Sequence, residues 1–268
     1  VDGLEWKRSK WSGAGQKYYR LAEALSVRWA DALIADAVGI ADYYQTEFGA
    51  STEVIAYGAP ILEGLLTDRL AELNLKAGEF HLVVARFEPE NNVEMIVHGY
   101  QSSSARHPLV VVGGAPYSDE YTQAVHSAAK DDPRIRFLGP VWDQEQLDQL
   151  YGHATTYLHG HSVGGTNPSL LRAMGAGAAV GAFDVVFNRE VLGSEAQFFS
   201  NASGVAKLVE SAEADPQQIR SYGELCRDRA LAEYRWDDVA SGYEDLAMRL
   251  SKGETRRRES SGRRSRDS

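Results

Sequence analysis

The chain has 268 residues, of which 43% are hydrophobic and 25% charged, and a net charge of −10 at pH 7. This composition is typical of a soluble globular protein with one large domain or two small ones. The single cysteine, Cys226, excludes an intrachain disulfide and fits a reducing compartment such as the cytoplasm. No run of about 18 apolar residues, the length that spans a bilayer, occurs in the sequence.

The charge is distributed unevenly along the chain. Residues 252–268 contain seven Lys and Arg against three Asp and Glu, a balance of +4, which leaves −14 on the remainder. An acidic body disfavours a general nucleic-acid binder. Residues 251–268 have no hydrophobic side chain, which predicts a disordered basic tail, with contact to an anionic membrane surface as the alternative. The first residues, VDGLEWKRSKWS, resemble neither a signal peptide nor a natural start, which favours a piece of a larger protein.

The first 60 residues alternate helical and extended patterns. The predicted elements are a helix at 15–31, a strand at 32–36, a helix at 38–48 and a strand at 53–60. A strand, a helix and a second strand form a βαβ unit with parallel strands, which is too little sheet for a complete domain. We expect the apolar face of the first helix and three tryptophans to be core or interdomain anchors: Tyr18, Leu21, Leu25, Trp29, Trp6 and Trp11.

Residues 61–78 read as a linker with a helix, and a second α/β series occupies 79–232. Its strands are predicted at 80–86, 108–114, 135–139, 155–159 and 178–183, and its helices at 93–102, 118–130, 144–154, 168–177, 205–214 and 219–234. The strands are continuous apolar runs, as expected when helices cover both faces of a parallel sheet. The fold class is therefore α/β, with one complete doubly wound Rossmann-like domain and a partial N-terminal Rossmann-like portion. The segment 233–250 forms a last amphipathic helix.

Ligands of doubly wound sheets bind at the carboxyl ends of the strands. The residues that follow strands are Arg86, the pair Gly113-Gly114, the segment Gly139-Pro140-Val141, and the loop 159–167. Arg86 can clamp a phosphate with its planar guanidinium, or be a solvated or ion-paired side chain. The glycine pair can pass under a ligand or merely turn the chain.

The loop HGHSVGGTNP carries the strongest signal for an anion site. Gly164 and Gly165 permit close backbone approach, Asn167 is a good helix N-cap, and Pro168 suits the first helical position. Free backbone N–H groups and the positive end of a helix dipole would then meet a diphosphate. A loop-to-helix junction without a ligand is the alternative. His161 can donate to a phosphate or a sugar hydroxyl, or lie exposed in the loop.

Five histidines outside this loop have no metal-ligand spacing with one another, and the single cysteine has no partner. We therefore predict no structural metal from His81, His98, His107, His126 and His153. A Rossmann-type oxidoreductase is disfavoured because no GxGxxG follows the first strand of either series.

Several strings in order, FHLVVARFEPENN, PLVVVGGAP, IRFLGPVWDQEQLDQLY, HSVGGTNPSLLRAMGAG and FNREVLG, resemble the nucleotide-sugar domain of GT-B glycosyltransferases of retaining family four. VDGLEWKR and GIADYY are similar to strings of a bacterial rhamnosyltransferase-like clade, and YRWDDVASGYEDL resembles the C-terminal helix that crosses back to the N-terminal domain. The resemblance implies a metal-independent transfer of a hexose such as rhamnose, from a nucleotide diphosphate to a glycan or lipid-linked acceptor. It also implies no cofactor.

The resemblance implies a role for each matching residue. Arg86 would contact the diphosphate, and the backbone around Gly139 to Trp142, including Val141, would hold the base. The turn of Gly164, Gly165, Thr166, Asn167 and Ser169 would take the phosphates, while Asn188 and Glu190 would lie near the donor sugar.

Three features depart from the family pattern. Asn91 and Asn92 stand where many members carry a lysine, and the two family glutamates map to Gly164 and Arg172. An arginine at 172 cannot accept from ribose hydroxyls, so it would pair with a phosphate or with a nearby carboxylate. About 100 residues of N-terminal sheet with the acceptor site would precede residue 1. A non-catalytic remnant that binds a partner, or a second copy of the chain, is therefore the alternative to the enzyme.

Overall fold

The computed structural model describes residue 6 and residues 11–115, 119–193 and 196–255. The predicted basic tail beyond 255 lies outside the described residues. The chain forms two compact units. The first comprises Val1–Gly58, Val163–Asn167 and Tyr234–Ser268, and the second Ala59–Ser162 and Pro168–Glu233. Among the described helices, none is both long enough and apolar enough to cross a bilayer.

The first unit is a βαβ unit flanked by two long helices. Its elements are α1 (Gly13–Trp29), β1 (Ile34–Ala35), α2 (Val38–Phe48), β2 (Glu53–Val54) and α11 (Trp236–Ser251). The strands β1 and β2 are parallel, with Ile34 opposite Glu53, as the βαβ prediction requires. The helix α2 has the predicted bounds because Gly49, at φ 59°, adopts the left-handed conformation that ends helices.

The buried face of α1 is not the one that its apolar pattern predicts. Tyr18, Leu21 and Trp29 are exposed, whereas Glu23 and Val27 are buried. The Glu23 carboxylate accepts a hydrogen bond of 3.0 Å from the Tyr43 hydroxyl, which compensates in part for its burial. Trp29 therefore does not anchor a core among the described residues, and its alternative role as an interdomain anchor stays a prediction.

The helix α11 packs on the first unit through close backbone approaches. A Cβ atom at Gly58 would lie within 3.0 Å of the Trp236 ring, so only glycine leaves room for this indole. Arg249 pairs with Glu53 at 2.9 Å. Of the predicted apolar face of this helix, Leu246 is buried and Tyr243 is exposed.

The second unit is an α/β series. Its strands are β3 (His81–Val84), β4 (Leu109–Val112), β5 (Ile135–Gly139), β6 (Thr156–His159), β7 (Val180–Phe183) and β8 (Gln197–Phe199). Its helices are α3 (Asp68–Glu72), α4 (Val93–Gln101), α5 (Asp119–Ala128), α6 (Gln144–His153), α7 (Pro168–Gly175), α8 (Val186–Leu192), α9 (Ala202–Ala214) and α10 (Pro216–Glu233), with a 3-10 turn at Pro89–Asn91.

The six strands form one parallel sheet in the order β5-β4-β3-β6-β7-β8. The predicted doubly wound α/β fold is confirmed. The core on one side packs α4, α5 and α9 on the sheet through buried residues that include Ile96, Tyr100, Val125, Val205 and Val209. The sequence prediction missed α8 and β8, which are only seven and three residues long.

Candidate functional site

The strand order reverses between β3 and β6, the two central strands of the sheet. From β3 the chain continues outward to β4 and β5, whereas from β6 it continues to β7 and β8 on the other side. In doubly wound folds the ligand-binding crevice lies at such a reversal, and the crevice below means the carboxyl ends of β3 and β6 with the residues that follow them. Arg86 follows β3 and His161 follows β6, so the fold brings two predicted site residues to this point.

Side chains after β3 hold the segment after β6 in place. The Asn91 side chain lies 2.7 Å from Nδ1 of His161, and Asn92 donates to the carbonyl of Gly160 at 2.8 Å. The amide and the hydroxyl of Ser162 both donate to the carbonyl of Glu90, at 2.8 and 2.9 Å. The two asparagines that replace the family lysine therefore connect the two segments. Two adjacent amide side chains in the segment that follows β3 were the sequence signal that could have identified this role.

The hydrogen bonds of Asn91 define the tautomer of His161. The Asn91 amide nitrogen donates to the carbonyl of Arg86 at 2.8 Å, so its Oδ1 faces His161 as an acceptor. Nδ1 of His161 therefore carries a proton, and in the neutral ring Nε2 has the lone pair. The Nδ1–H donor of His161 is thus bonded to Asn91, whereas the sequence analysis expected His161 to donate to a phosphate or a sugar hydroxyl.

Arg86 has a fixed backbone and an exposed side chain. Its carbonyl accepts from Asn91 and from the amide of Glu88. The guanidinium is 66% exposed and lies 3.5 Å from a carboxylate oxygen of Glu88, a loose ion pair. An exposed arginine with so loose a partner can turn to an incoming phosphate at little cost.

The glycines at the tips of β4 and β5 allow neighbouring backbone segments to approach closely. Gly113 has φ 131° and donates to the carbonyl of Gly139 at 2.9 Å. A Cβ atom at Gly113 would overlap the carbonyl oxygen of Ala85, whereas one at Gly114 would meet nothing within 4 Å. The sequence left two roles open for this pair, a pass under a ligand or a turn of the chain. The contacts of Gly113 support the turn of the chain.

The segment after β5 presents a large aromatic side chain to solvent. Val141 is half-buried, and Trp142, the next residue, is 89% exposed. An indole this exposed at the carboxyl edge of a sheet is available for stacking on a planar ligand.

Asn188 is buried and positions His161. Its side-chain nitrogen donates to the carbonyl of His161 at 2.9 Å and to that of Phe183 at 2.8 Å. Both of its N–H groups are therefore used within the protein. Glu190, two residues further along α8, is half-buried, and its carbonyl accepts from Arg229 at 3.0 Å.

His159, the last residue of β6, is 4% exposed. Its Nδ1 lies 3.2 Å from the hydroxyl of Tyr157, and its Nε2 is buried without a hydrogen-bond partner. Burial lowers the pKa of His159 to about 3, and the neighbouring His161 acts in the same direction, so the ring is neutral at pH 7. Sequence reasoning named His159 but gave it no role, because nothing in the pattern HGH distinguishes a buried ring from an exposed one.

The glycine loop 163–167 and Asp36 both belong to the first unit, and they are in contact. A Cβ atom at Gly165 would lie within 3.0 Å of the Asp36 carboxylate, and Thr166 donates its hydroxyl to the Asp36 carbonyl at 2.5 Å. Gly164 has φ 131°, which favours glycine whatever surrounds it. Protein packing alone therefore explains the need for glycine at both positions. The helix α7 begins at Pro168, as predicted, and Ser169 lies in its first turn.

Arg172 pairs with a carboxylate of its own unit. Its Nε lies 2.6 Å from Oδ1 of Asp148 on α6, and this oxygen also accepts from Gln144 at 3.0 Å. The sequence analysis expected Arg172 to pair with a phosphate or with a nearby carboxylate, and the structure shows the carboxylate.

Comparison with protein-family models gives two matches. Residues 79–214 match the family described as glycosyl transferases group 1. Residues 1–60 match a domain of unknown function, DUF1972. The first match spans the whole crevice described above, from β3 to the end of α9.

The similar proteins include two curated enzymes and a solved structure. O-antigen chain mannosyltransferase B of Escherichia coli is 26% identical over 60% of this chain and 44% of its own length, so the chain spans less than half of that relative. Alpha-maltose-1-phosphate synthase of Mycolicibacterium smegmatis is 24% identical over 92% of this chain and 70% of its own length. The crystal structure of Anabaena HepE in complex with UDP superposes with a TM-score of 0.74 at 17% identity, over 87% of this chain and 67% of HepE. The α/β fold with its parallel sheet is thus the fold of GT-B glycosyltransferases, and the chain belongs to the glycosyl transferases group 1 family.

Proposed function

We propose that this chain carries the nucleotide-sugar site of a glycosyltransferase, which moves a sugar from a nucleotide diphosphate to a glycan or lipid-linked acceptor. The observation that carries the proposal is the reversal of strand order, where Arg86 and His161 follow the two central strands. Ligands of doubly wound sheets bind at this place. Family membership supports the same reaction class.

In this proposal Arg86 stabilises the leaving diphosphate. Sugar transfer places growing negative charge on the diphosphate, and a guanidinium can donate two parallel hydrogen bonds to it. The exposed side chain of Arg86 is 3.5 Å from Glu88, so the phosphate needs to displace only a weak ion pair. The backbone N–H groups and the helix terminus around Gly164, Gly165, Thr166, Asn167 and Ser169 are proposed to add donors, on the strength of their sequence pattern.

The base and the sugar are assigned to flanking segments. The backbone from Gly139 to Val141 would hold the base, with the exposed indole of Trp142 as a stacking surface. His161 follows β6 at the strand tips, where its imidazole would contact a sugar hydroxyl. Asn188 would act indirectly, because its amide holds the His161 carbonyl. Glu190, also on α8, is proposed to lie near the sugar.

The finer assignments are hypotheses that rest on resemblance. They are retention of anomeric configuration, independence of a metal ion, and transfer of rhamnose or another hexose. HepE, the similar structure, is in complex with UDP, which makes UDP the first nucleotide to test here. The relatives' names indicate mannosyl transfer in one and maltose phosphate synthesis in the other, so the donor sugar has to be measured.

Calorimetric titration of UDP, GDP and dTDP into the chain tests the proposal. At least one nucleotide is expected to bind, and Arg86→Ala is expected to weaken it about 10- to 100-fold, the equivalent of about 1.5–3 kcal/mol for charged hydrogen bonds. The matched control is Arg220→Ala, which removes an exposed arginine of α10 and leaves the affinity unchanged. Absence of binding at millimolar nucleotide, or equal affinities of the two variants, would contradict the proposal.

The ion pair of Arg172 supports a second candidate, a nucleotide-binding or partner-binding subunit without catalysis. A guanidinium has no acceptor for a ribose hydroxyl, and the Nε donor of Arg172 is already paired with Asp148. A radiolabelled nucleotide-sugar panel separates the candidates. Release or transfer of sugar supports the enzyme, whereas nucleotide binding without turnover, in the presence of glycan acceptors, supports the subunit.

A further inference from the structure

A second group of chemically active side chains lies at the opposite edge of the large sheet. His81 is the first residue of β3, His107 lies two residues before β4, and Glu213 lies in the last turn of α9. One nitrogen of each imidazole and one oxygen of the carboxylate all lie within 4.8 Å of one another. These residues are far apart in sequence, so the absence of metal-ligand spacing among the histidines gave no indication of the cluster.

We propose that His81, His107 and Glu213 bind a divalent transition metal ion, with Zn²⁺ best matched to two imidazoles and one carboxylate. Zn²⁺ takes nitrogen and carboxylate ligands at about 2.0–2.2 Å in tetrahedral geometry, which separates two ligand atoms by ~3.3 Å. Nε2 of His81 already lies 3.3 Å from Oε1 of Glu213. The half-buried His107 needs to approach by about 1.5 Å at most, and a water molecule would complete the tetrahedron.

The neighbours of both histidines orient them as ligands. Nδ1 of His81 lies 2.7 Å from the Thr156 hydroxyl, and Nδ1 of His107 lies 3.3 Å from the Thr155 hydroxyl. Thr155 donates its proton to the carbonyl of Gly78 at 2.8 Å, so it can only accept from His107. His107 therefore carries its proton on Nδ1 and has the lone pair on Nε2. Fixing one ring nitrogen through an outer partner is the usual arrangement around metal-bound histidine.

The Glu213 carboxylate is held in place by backbone amides. Oε1 of Glu213 accepts from the amides of Arg106 and His107, both at 2.8 Å, and Oε2 accepts from the Arg106 amide at 2.9 Å. His81 now faces Glu213 through Nε2, so metal binding requires its proton to be on Nδ1, facing Thr156.

The ion would connect three segments that start or cover the sheet: β3, the approach to β4, and α9. It would stabilise the fold at the edge remote from Arg86 and His161, so its presence is independent of nucleotide binding. Because the ligands are not assembled in the unfolded chain, binding would raise thermal stability.

Titration of ZnCl₂ into chelator-treated protein tests the inference, with calorimetry for stoichiometry and Co²⁺ absorption for geometry. The unmodified chain is expected to bind one Zn²⁺, to give a tetrahedral Co²⁺ spectrum, and to melt at a higher temperature with Zn²⁺. His107→Ala is expected to lose at least about tenfold in affinity, together with the spectrum and the melting shift.

His98→Ala is the matched control, because His98 is exposed on α4 and remote in sequence from the ligands. It is expected to bind Zn²⁺ as the unmodified chain does. If His107→Ala does not fold by circular dichroism, His107→Asn and Glu213→Gln provide the same comparison. No Zn²⁺ binding by the unmodified chain would overturn the inference. Equal affinities of the ligand variants and His98→Ala would also overturn it.

Discussion

The ion pair between Arg172 and Asp148 makes a quantitative prediction. The two side chains are 25% and 15% exposed, and their N–O distance is 2.6 Å. Hydrogen bonds to charged groups contribute about 1.5–3 kcal/mol when shielded, whereas fully exposed ion pairs contribute about 0–1 kcal/mol. Partial exposure places this pair between the two ranges, at about 1–2 kcal/mol.

A double-mutant cycle measures this value. Arg172→Gln, Asp148→Asn and the double variant are compared with the unmodified chain by urea denaturation followed by circular dichroism. The double variant is expected to be more stable than the sum of the single effects predicts, by about 1–2 kcal/mol. A coupling energy below about 0.5 kcal/mol, the usual error of additivity, would refute the reasoning.

The same pair determines how a family-like glutamate at position 172 has to be tested. Arg172→Glu alone would place two carboxylates side by side, which raises the energy of the folded state and obscures any gain in ribose contacts. Arg172→Glu combined with Asp148→Asn removes this repulsion. If a glutamate at position 172 accepts from the ribose hydroxyls, the variant with Arg172→Glu and Asp148→Asn binds nucleotide more tightly than Asp148→Asn alone. Equal nucleotide affinities of these two variants would contradict that role.

Two further predictions concern the strand tips. Gly113→Ala is expected to destabilise the fold by at least about 2–3 kcal/mol, because Gly113 has a φ of 131° and a Cβ there would overlap the Ala85 carbonyl. Gly114→Ala, measured in the same urea assay, is expected to stay within about 1 kcal/mol of the unmodified chain. Similar losses in both variants would contradict the packing argument. His159 has a pKa of about 3 in the folded chain, below the ordinary value near 6.5. Its contribution to the free energy of unfolding is therefore complete above about pH 6.5 and declines as the pH falls from there towards 3. Urea unfolding between pH 7 and 5 is expected to show a slope steeper by up to about 1.4 kcal/mol per pH unit than in His159→Phe; parallel curves would contradict a buried neutral ring.

The sequence was sufficient to predict the α/β fold, because continuous apolar runs and helical periodicity depend on local patterns. It correctly located the end of α2 at Gly49 and the start of α7 at Pro168, where a single residue determines the backbone. It failed for α1, because periodicity defines an apolar face without showing what covers it. There Tyr18 and Leu21 are exposed, and Glu23 is buried beside Tyr43.

The positions of Arg86 and His161 after strands were predictable from the sequence, but their contacts were not. The sequence placed Arg86 and His161 after strands, and the sheet order brings the ends of those strands together. It could not show that Asn91 bonds to His161 or that Arg172 bonds to Asp148, because these partners are 70 and 24 residues apart. Contacts at such separation depend on the order of strands, which one sequence does not specify.

The close backbone contacts of Gly113 and Gly160 bear on which residues a chain of this fold has to keep. Each would collide with a carbonyl of the adjoining segment, of Ala85 or Asn91, if it bore a side chain. A descendant that had lost all chemistry would still need glycine at both places in order to fold. Glycine at 113 and 160 thus marks the architecture, whereas under the proposed function Arg86 and His161 are the residues whose loss would weaken donor binding.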